Sequence, residues 1–315
     1  MRPIAVLTGP TGAGKSEIAL RLADQFPVEL VSVDSAQVYR GLDIGSAKPD
    51  AATRQRVPHH LLDLVDPVDS YSAGRFQRDC IRAIEDIESR GKAPLLVGGT
   101  LLYLRALIGG LSNLPEASEA IRARIDGDAA RLGWPALHAR LAEVDAGAAA
   151  RIHPNDSQRI QRALEVFEMG GRPISELQTA TRPPLAREFR VAAMIPTDRA
   201  RLHAALASRF DQMMAAGFLD EVRRLYERGD LTESHPAIRA VGYRQLWSHL
   251  SGAQPLAAAA EQAVAATRQL AKRQMTWLRS MSNIHVFDPY DAQSFVGVRD
   301  TLRDALLPPL SALPA

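Results

Sequence analysis

The sequence predicts an α/β fold, a parallel sheet flanked by helices and split by an all-helical insertion. Three observations carry this expectation. Short apolar runs at 4–7, 28–33, 94–97, 190–195 and 283–287 read as strands, separated by stretches of helical periodicity. The first run leads directly into a glycine-rich loop and then a helix, as in strand–loop–helix units of parallel sheets. From 115 to about 187 the pattern becomes charged, alanine-rich and helical, with no strand. The chain therefore divides into a first core segment at 1–114, a helical insertion at 115–188 and a second core segment at 189–315.

The glycine-rich loop is Gly9-Pro10-Thr11-Gly12-Ala13-Gly14-Lys15-Ser16, a complete G-x-x-x-x-G-K-[ST] phosphate loop. Its glycines let successive N–H groups turn inward on an anion, and the helix that follows adds its positive dipole end. Lys15 is placed to neutralise a distal phosphate, and Ser16 to hold a Mg²⁺ that bridges phosphate oxygens. The loop predicts a di- or triphosphate ligand and leaves open whether that ligand is a nucleotide such as ATP.

The second strand ends at Asp34-Ser35-Ala36-Gln37. Ligands of open parallel sheets sit beyond the carboxyl ends of the strands, so Asp34 is expected beside the phosphate loop as a general base or metal-water ligand. Residues 41–58 read as a polar loop able to close over a substrate. His59 and His60, followed by Asp63 and Asp66, resemble a metal cluster, but adjacent histidines point oppositely on a strand. They are expected to hydrogen-bond locally and shape the loop. Phe76, Cys80, Ile84 and Ile87 mark a helix that stops at Gly91. After the 94–97 strand comes Gly98-Gly99-Thr100, without the acid by which many nucleotide hydrolases hold Mg²⁺. The Thr100 position opens a helix at 101–108 and is a second anion-receptive site or an ordinary N-cap.

Within the insertion, turns are expected at Gly127, Gly133-Trp134-Pro135 and Gly170-Gly171. His153-Pro154-Asn155-Asp156 caps a helix carrying Gln158, Arg159, Gln161 and Arg162, whose two arginines share a face. Further on, Thr197-Asp198 caps a helix with Leu202, Leu206, Phe210, Met213 and Met214 on its core side and Arg209 near its middle. From 235 to 279, Arg239, Arg244, Arg268, Lys272, Arg273 and Arg279 face a single acid, Glu261. Charge segregation this strong points to a polyanion surface, with Tyr243 and Trp277 as candidate stacking rings or core aromatics.

Composition narrows the class. Basic and acidic residues nearly balance, 38 against 36, and only Lys15, Lys48, Lys92 and Lys272 are lysines, so arginine abundance by itself says little about partners. Cys80 is the sole cysteine, which excludes disulfides and cysteine-based zinc sites. No membrane-length apolar stretch or secretory leader is evident, and the expectation is a cytoplasmic, monomeric enzyme.

Together these motifs resemble the bacterial tRNA isopentenyltransferase family, the tRNA dimethylallyltransferases, across essentially the whole chain. The resemblance rests on the phosphate loop, Asp34 to Tyr39 with Gly41 to Pro49, Pro58-His59-His60-Leu61, and Val97 to Tyr103. It continues through Asn155-Asp156 with Arg159 to Glu165, Gly242-Tyr243-Arg244-Gln245, and Lys272-Arg273-Gln274 with Trp277. It implies a P-loop kinase-like fold and transfer of a dimethylallyl group from dimethylallyl diphosphate to N6 of adenosine 37 in tRNA. Asp34, Thr100 and Arg209 are then the catalytic candidates, with the phosphate loop and Mg²⁺ at Ser16 holding the diphosphate. The implied tRNA contacts are Asp34, Ser35, Ala36, Gln37, Thr100, Arg122, Gln158, Arg159, Ile160, Gln161, Arg162, Arg239, Ala240, Val241, Gly242, Tyr243, Arg244, Lys272, Arg273, Gln274, Trp277 and Arg279. A kinase of small acceptors is one rival, disfavoured by the missing acid after the 94–97 strand and by the basic helix near the C-terminus; a regulatory, non-catalytic nucleotide-dependent RNA-binding protein is a second, and an enzyme that prenylates free adenine nucleotides a nearer one.

Overall fold

The structure is a computed structural model that describes residues 2–112, 114–115, 117–178 and 183–307. The end of the second core segment, 308–315, lies outside the described residues. The chain forms two compact units, Met1–Ala106 with Leu185–Ala315, and Leu107–Pro184.

The first unit is built on an all-parallel sheet of β1 (Ile4–Thr8), β2 (Val28–Val33), β3 (His59–His60), β4 (Ala93–Gly98), β5 (Phe189–Met194) and β6 (Ile284–Phe287). Their order across the sheet is β3-β2-β4-β1-β5-β6. Every residue of β1 and β2 is buried, which explains why β1 reads as a continuous apolar run and β2 as an apolar run broken only by Glu29 and Ser32. Helices Lys15–Ala23 and Ser294–Leu306 pack Ile18, Leu22, Phe295, Val298 and Leu302 onto Ala5, Leu7, Leu30, Leu95 and Met194. Each large aliphatic side chain buried there contributes roughly 1.5–3 kcal/mol. Helix Ala73–Ser89 lays Phe76, Cys80, Ile84 and Ile87 against β2 and β4, and Gly91 ends that stretch at φ 73°.

Four local expectations are corrected. The stretch at 41–58 is not all loop: Asp50 caps a helix at Ala51–Arg56, its side chain accepting from the Thr53 N–H. His59 and His60 form the short strand β3, paired with Leu30 and Val31 of β2. Their rings do bond locally, His59 Nδ1 to the Val57 carbonyl and His60 Nε2 to Glu29, each at 2.7 Å. Met213 and Met214 are only half-buried, because Leu202, Leu206 and Phe210 already fill the inner face of helix Arg199–Ala215. Gly127 makes no turn, as shown below.

A buried carboxylate organises the segment after β2. Glu221, on helix Phe218–Glu227, accepts from the backbone N–H groups of Asp43, Ile44 and Gly45 at 3.1, 2.7 and 3.1 Å. It also accepts from the Tyr243 hydroxyl at 2.6 Å. Nearby, the buried Lys48 ammonium donates to the Tyr39 carbonyl at 2.9 Å and to Asp43 and Asp63 at 2.7 Å each. The polar sequence of this segment is therefore satisfied internally.

The second unit has its own core of Ile125, Leu137, Leu141, Ile160, Leu164, Val166 and Ile174. Its helices are Glu119–Leu132, Trp134–Val144, Ala146–Ala149, Ser157–Gly170 and Ile174–Leu177. Gly127 lies inside the first of them; about 1 kcal/mol of glycine penalty does not break a helix whose Ile125 and Ala129 are buried. Gly133 and Gly171 do end helices, at φ 84° and 64°, and Asp156 caps the Arg159 N–H as read from the sequence.

Removing one hydroxyl tests the carboxylate network. Tyr243→Phe is expected to lower unfolding stability by about 1.5–3 kcal/mol, the range for a buried hydrogen bond to a charged group. Urea unfolding measures it, and a loss below about 0.5 kcal/mol would remove Glu221 from the organising role.

Candidate active site

Three neighbouring strands end at one level. β4 pairs Gly98 with Thr8 of β1 on one side and with Val33 of β2 on the other. The buried Thr8 hydroxyl donates to the Gly98 carbonyl at 2.9 Å, fixing that register. The residues that follow are the phosphate loop from Gly9, Asp34, and Gly99-Thr100. The sheet thus brings together, on one rim, groups widely separated in sequence.

The phosphate loop rises from β1 into helix Lys15–Ala23, with Gly14 in the left-handed conformation as its N-cap. Gly12 has φ 80°, and a Cβ there would stand 2.7 Å from Leu206, so the loop rests on helix Arg199–Ala215, which carries Arg209. Lys15 Nζ donates to the carbonyls of Gly9 and Pro10 at 3.0 and 2.7 Å. Ser16 is exposed at the first helical turn.

Asp34 is half-buried, and its Oδ1 accepts from the N–H groups of Ala36 and Gln37 at 2.8 and 3.3 Å. Oδ2 makes no hydrogen bond among the described residues. Desolvation lowers the Lys15 pKa to about 8, partly opposed by the charge of Asp34, while Arg209 pushes it further down. Desolvation likewise pulls Arg209 below the usual guanidinium range, against the attraction of Asp34. The three charges therefore act on one another within one site. Thr100 does not use its hydroxyl as a helix cap: Oγ1 accepts from the Ser35 N–H at 3.0 Å, joining the β4 loop to the β2 loop.

The remaining site residues divide clearly. Arg239, Arg244, Lys272, Arg273, Trp277 and Arg279 are exposed, Trp277 by 38 %. None of these cations has an ion-pair partner among the described residues. Ala240 and Val241 are half-buried. In the second unit, Gln158 and Arg159 are exposed, Arg159 paired with Asp156, and Gln161 donates to Asp126 at 2.6 Å.

Several implied RNA contacts are occupied elsewhere. Tyr243 is fully buried between Phe218 and Glu221, so its ring offers no stacking surface, and Gly242 is buried beside it. Ile160 belongs to the core of the second unit. Arg122 and Arg162 grip the fully buried Glu165, donating at 2.9 and 2.7 Å. The Gln37 side chain is spent between Ser32 and the carbonyls of Ser46 and Ala47. Gln274 does not face outward: Oε1 accepts from the Thr11 N–H at 2.9 Å, and Nε2 donates to the Gly99 carbonyl at 2.8 Å.

Sequence reasoning missed Glu221, although a signal existed, since it lies in the apolar stripe of Phe218, Val222 and Leu225. Glu165 left no comparable mark. An open cavity of about 690 Å³, lined in part by Thr197, Arg199, Leu278 and Arg279, holds none of Lys15, Asp34, Thr100 or Arg209.

A parallel sheet with a phosphate-loop sequence after its first strand, a carboxylate after the second and a helix-borne arginine places the chain among the P-loop folds. The chain belongs to the IPP transferase family, whose model matches residues 37–281. It is 55 % identical over 291 residues to a tRNA dimethylallyltransferase of Bordetella petrii, covering 91 % of this chain and 92 % of that one. A Paraburkholderia phymatum tRNA dimethylallyltransferase is 56 % identical with the same coverage. Among solved structures, the tRNA isopentenylpyrophosphate transferase of Bacillus halodurans aligns with TM-score 0.70 and 34 % identity over 97 % of both chains. A eukaryotic dimethylallyltransferase acting on tRNA aligns with TM-score 0.79 and 28 % identity, over 95 % of this chain and 78 % of the other. No helix among the described residues is long and apolar enough to cross a membrane.

Lys15 yields a pH prediction. Its charged form holds an anion and predominates below about 8, so pyrophosphate affinity of the free protein should fall as pH rises through that value. Lys15→Arg should remove the fall due to Lys15 up to pH 10, since a guanidinium keeps its proton there, leaving only the titration of pyrophosphate itself. Calorimetric titration with pyrophosphate across pH 6.5–10 checks both expectations; an unchanged affinity in the wild type would detach Lys15 from the ligand.

Proposed function

We propose that this protein transfers the dimethylallyl group of dimethylallyl diphosphate to N6 of adenosine 37 in tRNA, releasing diphosphate. The observation that carries the proposal is the convergence of the phosphate loop and Asp34 on the rim of a parallel sheet, with Lys15 and Arg209 near enough to feel the Asp34 charge, in a chain whose helix Leu256–Arg279 bears cations with no ion-pair partner among the described residues.

The reaction breaks the allylic C–O bond and forms a C–N bond while N6 loses a proton. Negative charge builds on the leaving diphosphate. The loop N–H groups, Lys15 and Arg209 would stabilise that charge, and the desolvation of Lys15 and Arg209 would strengthen each attraction. The N6 lone pair is delocalised into the adenine ring, so a base that takes its proton as the new bond forms accelerates attack. Asp34 is assigned that role: two backbone N–H groups fix Oδ1, leaving Oδ2 as the acceptor. Thr100 holds the Ser35 backbone and thereby the turn that presents Asp34.

Mg²⁺ fits this donor set. No group of three or more His, Cys, Asp or Glu side chains forms a metal cage among the described residues, and Mg²⁺ bound through substrate phosphates needs none. The exposed Ser16 hydroxyl would hold it with water and phosphate oxygens. When bound, the ion neutralises charge developing on diphosphate. The exposed cations at 239–279 would grip RNA phosphates and give salt-dependent affinity, while an adenosine turned out of the anticodon loop reaches Asp34. A monomer in the cytoplasm is the accompanying expectation.

The direct test incubates the protein with dimethylallyl diphosphate, Mg²⁺ and unmodified tRNA, then digests the RNA and weighs its nucleosides. One prenylated adenosine, at position 37, is the expected product. Asp34→Asn should reduce kcat by about 10²–10⁴-fold, the usual contribution of a general base, with tRNA affinity within a few-fold of wild type. Near-normal turnover in that variant would remove Asp34 from the role of base.

A further inference from the structure

Helix Leu256–Arg279 presents different residues on its two sides. Ala271, Met275 and Leu278 are buried, and Gln274 lies half-buried in the same stripe, whereas Lys272, Arg273, Trp277 and Arg279 are exposed. Gln274 is a polar residue on the inner side, and both ends of its carboxamide are engaged. It accepts from the Thr11 N–H in the phosphate loop and donates to the Gly99 carbonyl in the loop after β4. Those two loops leave adjacent strands. A single planar amide thus ties the phosphate loop, the β4 loop and the basic helix together.

The arrangement requires both halves of the amide and a glycine opposite it. A carboxylate at 274 would keep an acceptor for Thr11 but face the Gly99 carbonyl with like partial charge; an apolar side chain would lose both bonds. A Cβ on Gly99 would stand 2.5 Å from Gln274 Nε2 and 2.9 Å from the Gly9 carbonyl. The loop reaches the helix because residue 99 lacks a side chain.

We propose that Gln274 is a positioning residue that couples RNA binding on the outer side of this helix to the diphosphate site on its inner side. This rests on the functional reading above. RNA phosphates gripping Lys272, Arg273 and Arg279 restrain the helix, and through Gln274 they restrain Thr11 and Gly99. The diphosphate then meets a loop already held in place, and the coupling acts equally in reverse.

The test measures the Kd of inorganic pyrophosphate with Mg²⁺, alone and with saturating anticodon stem-loop RNA, by calorimetry. In the wild type RNA should tighten pyrophosphate binding by about five-fold or more, the lower range of such couplings. Gln274→Met should bring that ratio to within about two-fold while RNA affinity alone stays close to wild type. Gly99→Ala displaces the carboxamide from the opposite side and should erase the ratio too, so the inference survives a folding failure of either variant. A wild-type ratio near one, or an undiminished ratio in a folded variant, overturns the coupling. Failure of the wild type to bind pyrophosphate or RNA at all overturns the functional reading instead.

Discussion

Because Gly98 pairs with Thr8 on one side and Val33 on the other, the phosphate loop, Asp34 and Thr100 all begin at the same height above the sheet. That register is the constraint on which the site depends. Slipping one strand by one residue would reverse the facing of all its side chains and move Asp34 or the loop off the rim. Two features guard against it. The Thr8 hydroxyl is bonded to the Gly98 carbonyl across the strand pair. A Cβ at Gly98 would stand 2.1 Å from the Val33 carbonyl, so only glycine allows the two strand ends to approach this closely.

Around this rim the structure relies on buried polar groups that are fully bonded. Glu221 holds three consecutive backbone N–H groups at 43–45, and Lys48 ties the same segment to Asp63. A desolvated carboxylate or ammonium is costly unless its bonds are complete. Such groups therefore favour one loop conformation strongly over its alternatives. The segment after Asp34, polar enough to read as a mobile loop, is pinned on both sides.

The parts legible in the sequence were those whose physics is local. The phosphate loop, the strand at 28–33, the caps at Asp156 and Asp198 and the stop at Gly91 each express themselves within a few residues. The rest depended on partners far along the chain. Gln274 meets Thr11 across 263 residues, and Glu221 meets Asp43 across 178. Resemblance put Gln274 on the RNA surface, and nothing within its own helix names the two loops that it bonds instead. Tyr243 and Ile160 show the converse error. They lie within motifs tied to RNA by resemblance, and their own side chains serve the core that supports those motifs.

Arginine placement, finally, separates surfaces that composition could not. In the second unit Arg122, Arg124, Arg131, Arg140, Arg159 and Arg162 each have a carboxylate within ion-pair distance. A cation already facing a carboxylate must exchange that partner to bind a phosphate, a small cost for an exposed pair and a large one where the carboxylate is buried. For Arg122 and Arg162 the exchange would leave the buried Glu165 uncompensated, which is costly. Arg239, Arg244, Lys272, Arg273 and Arg279 have no such partner among the described residues. Their gain on meeting a phosphate is undiminished, and each releases condensed counterions. On the proposed reading, the salt-dependent affinity for RNA therefore resides mainly in the first unit, where Lys272, Arg273 and Arg279 share the helix whose inner side holds the phosphate loop. Arg122 and Arg162, which hold the buried Glu165, act mainly by shaping the second unit.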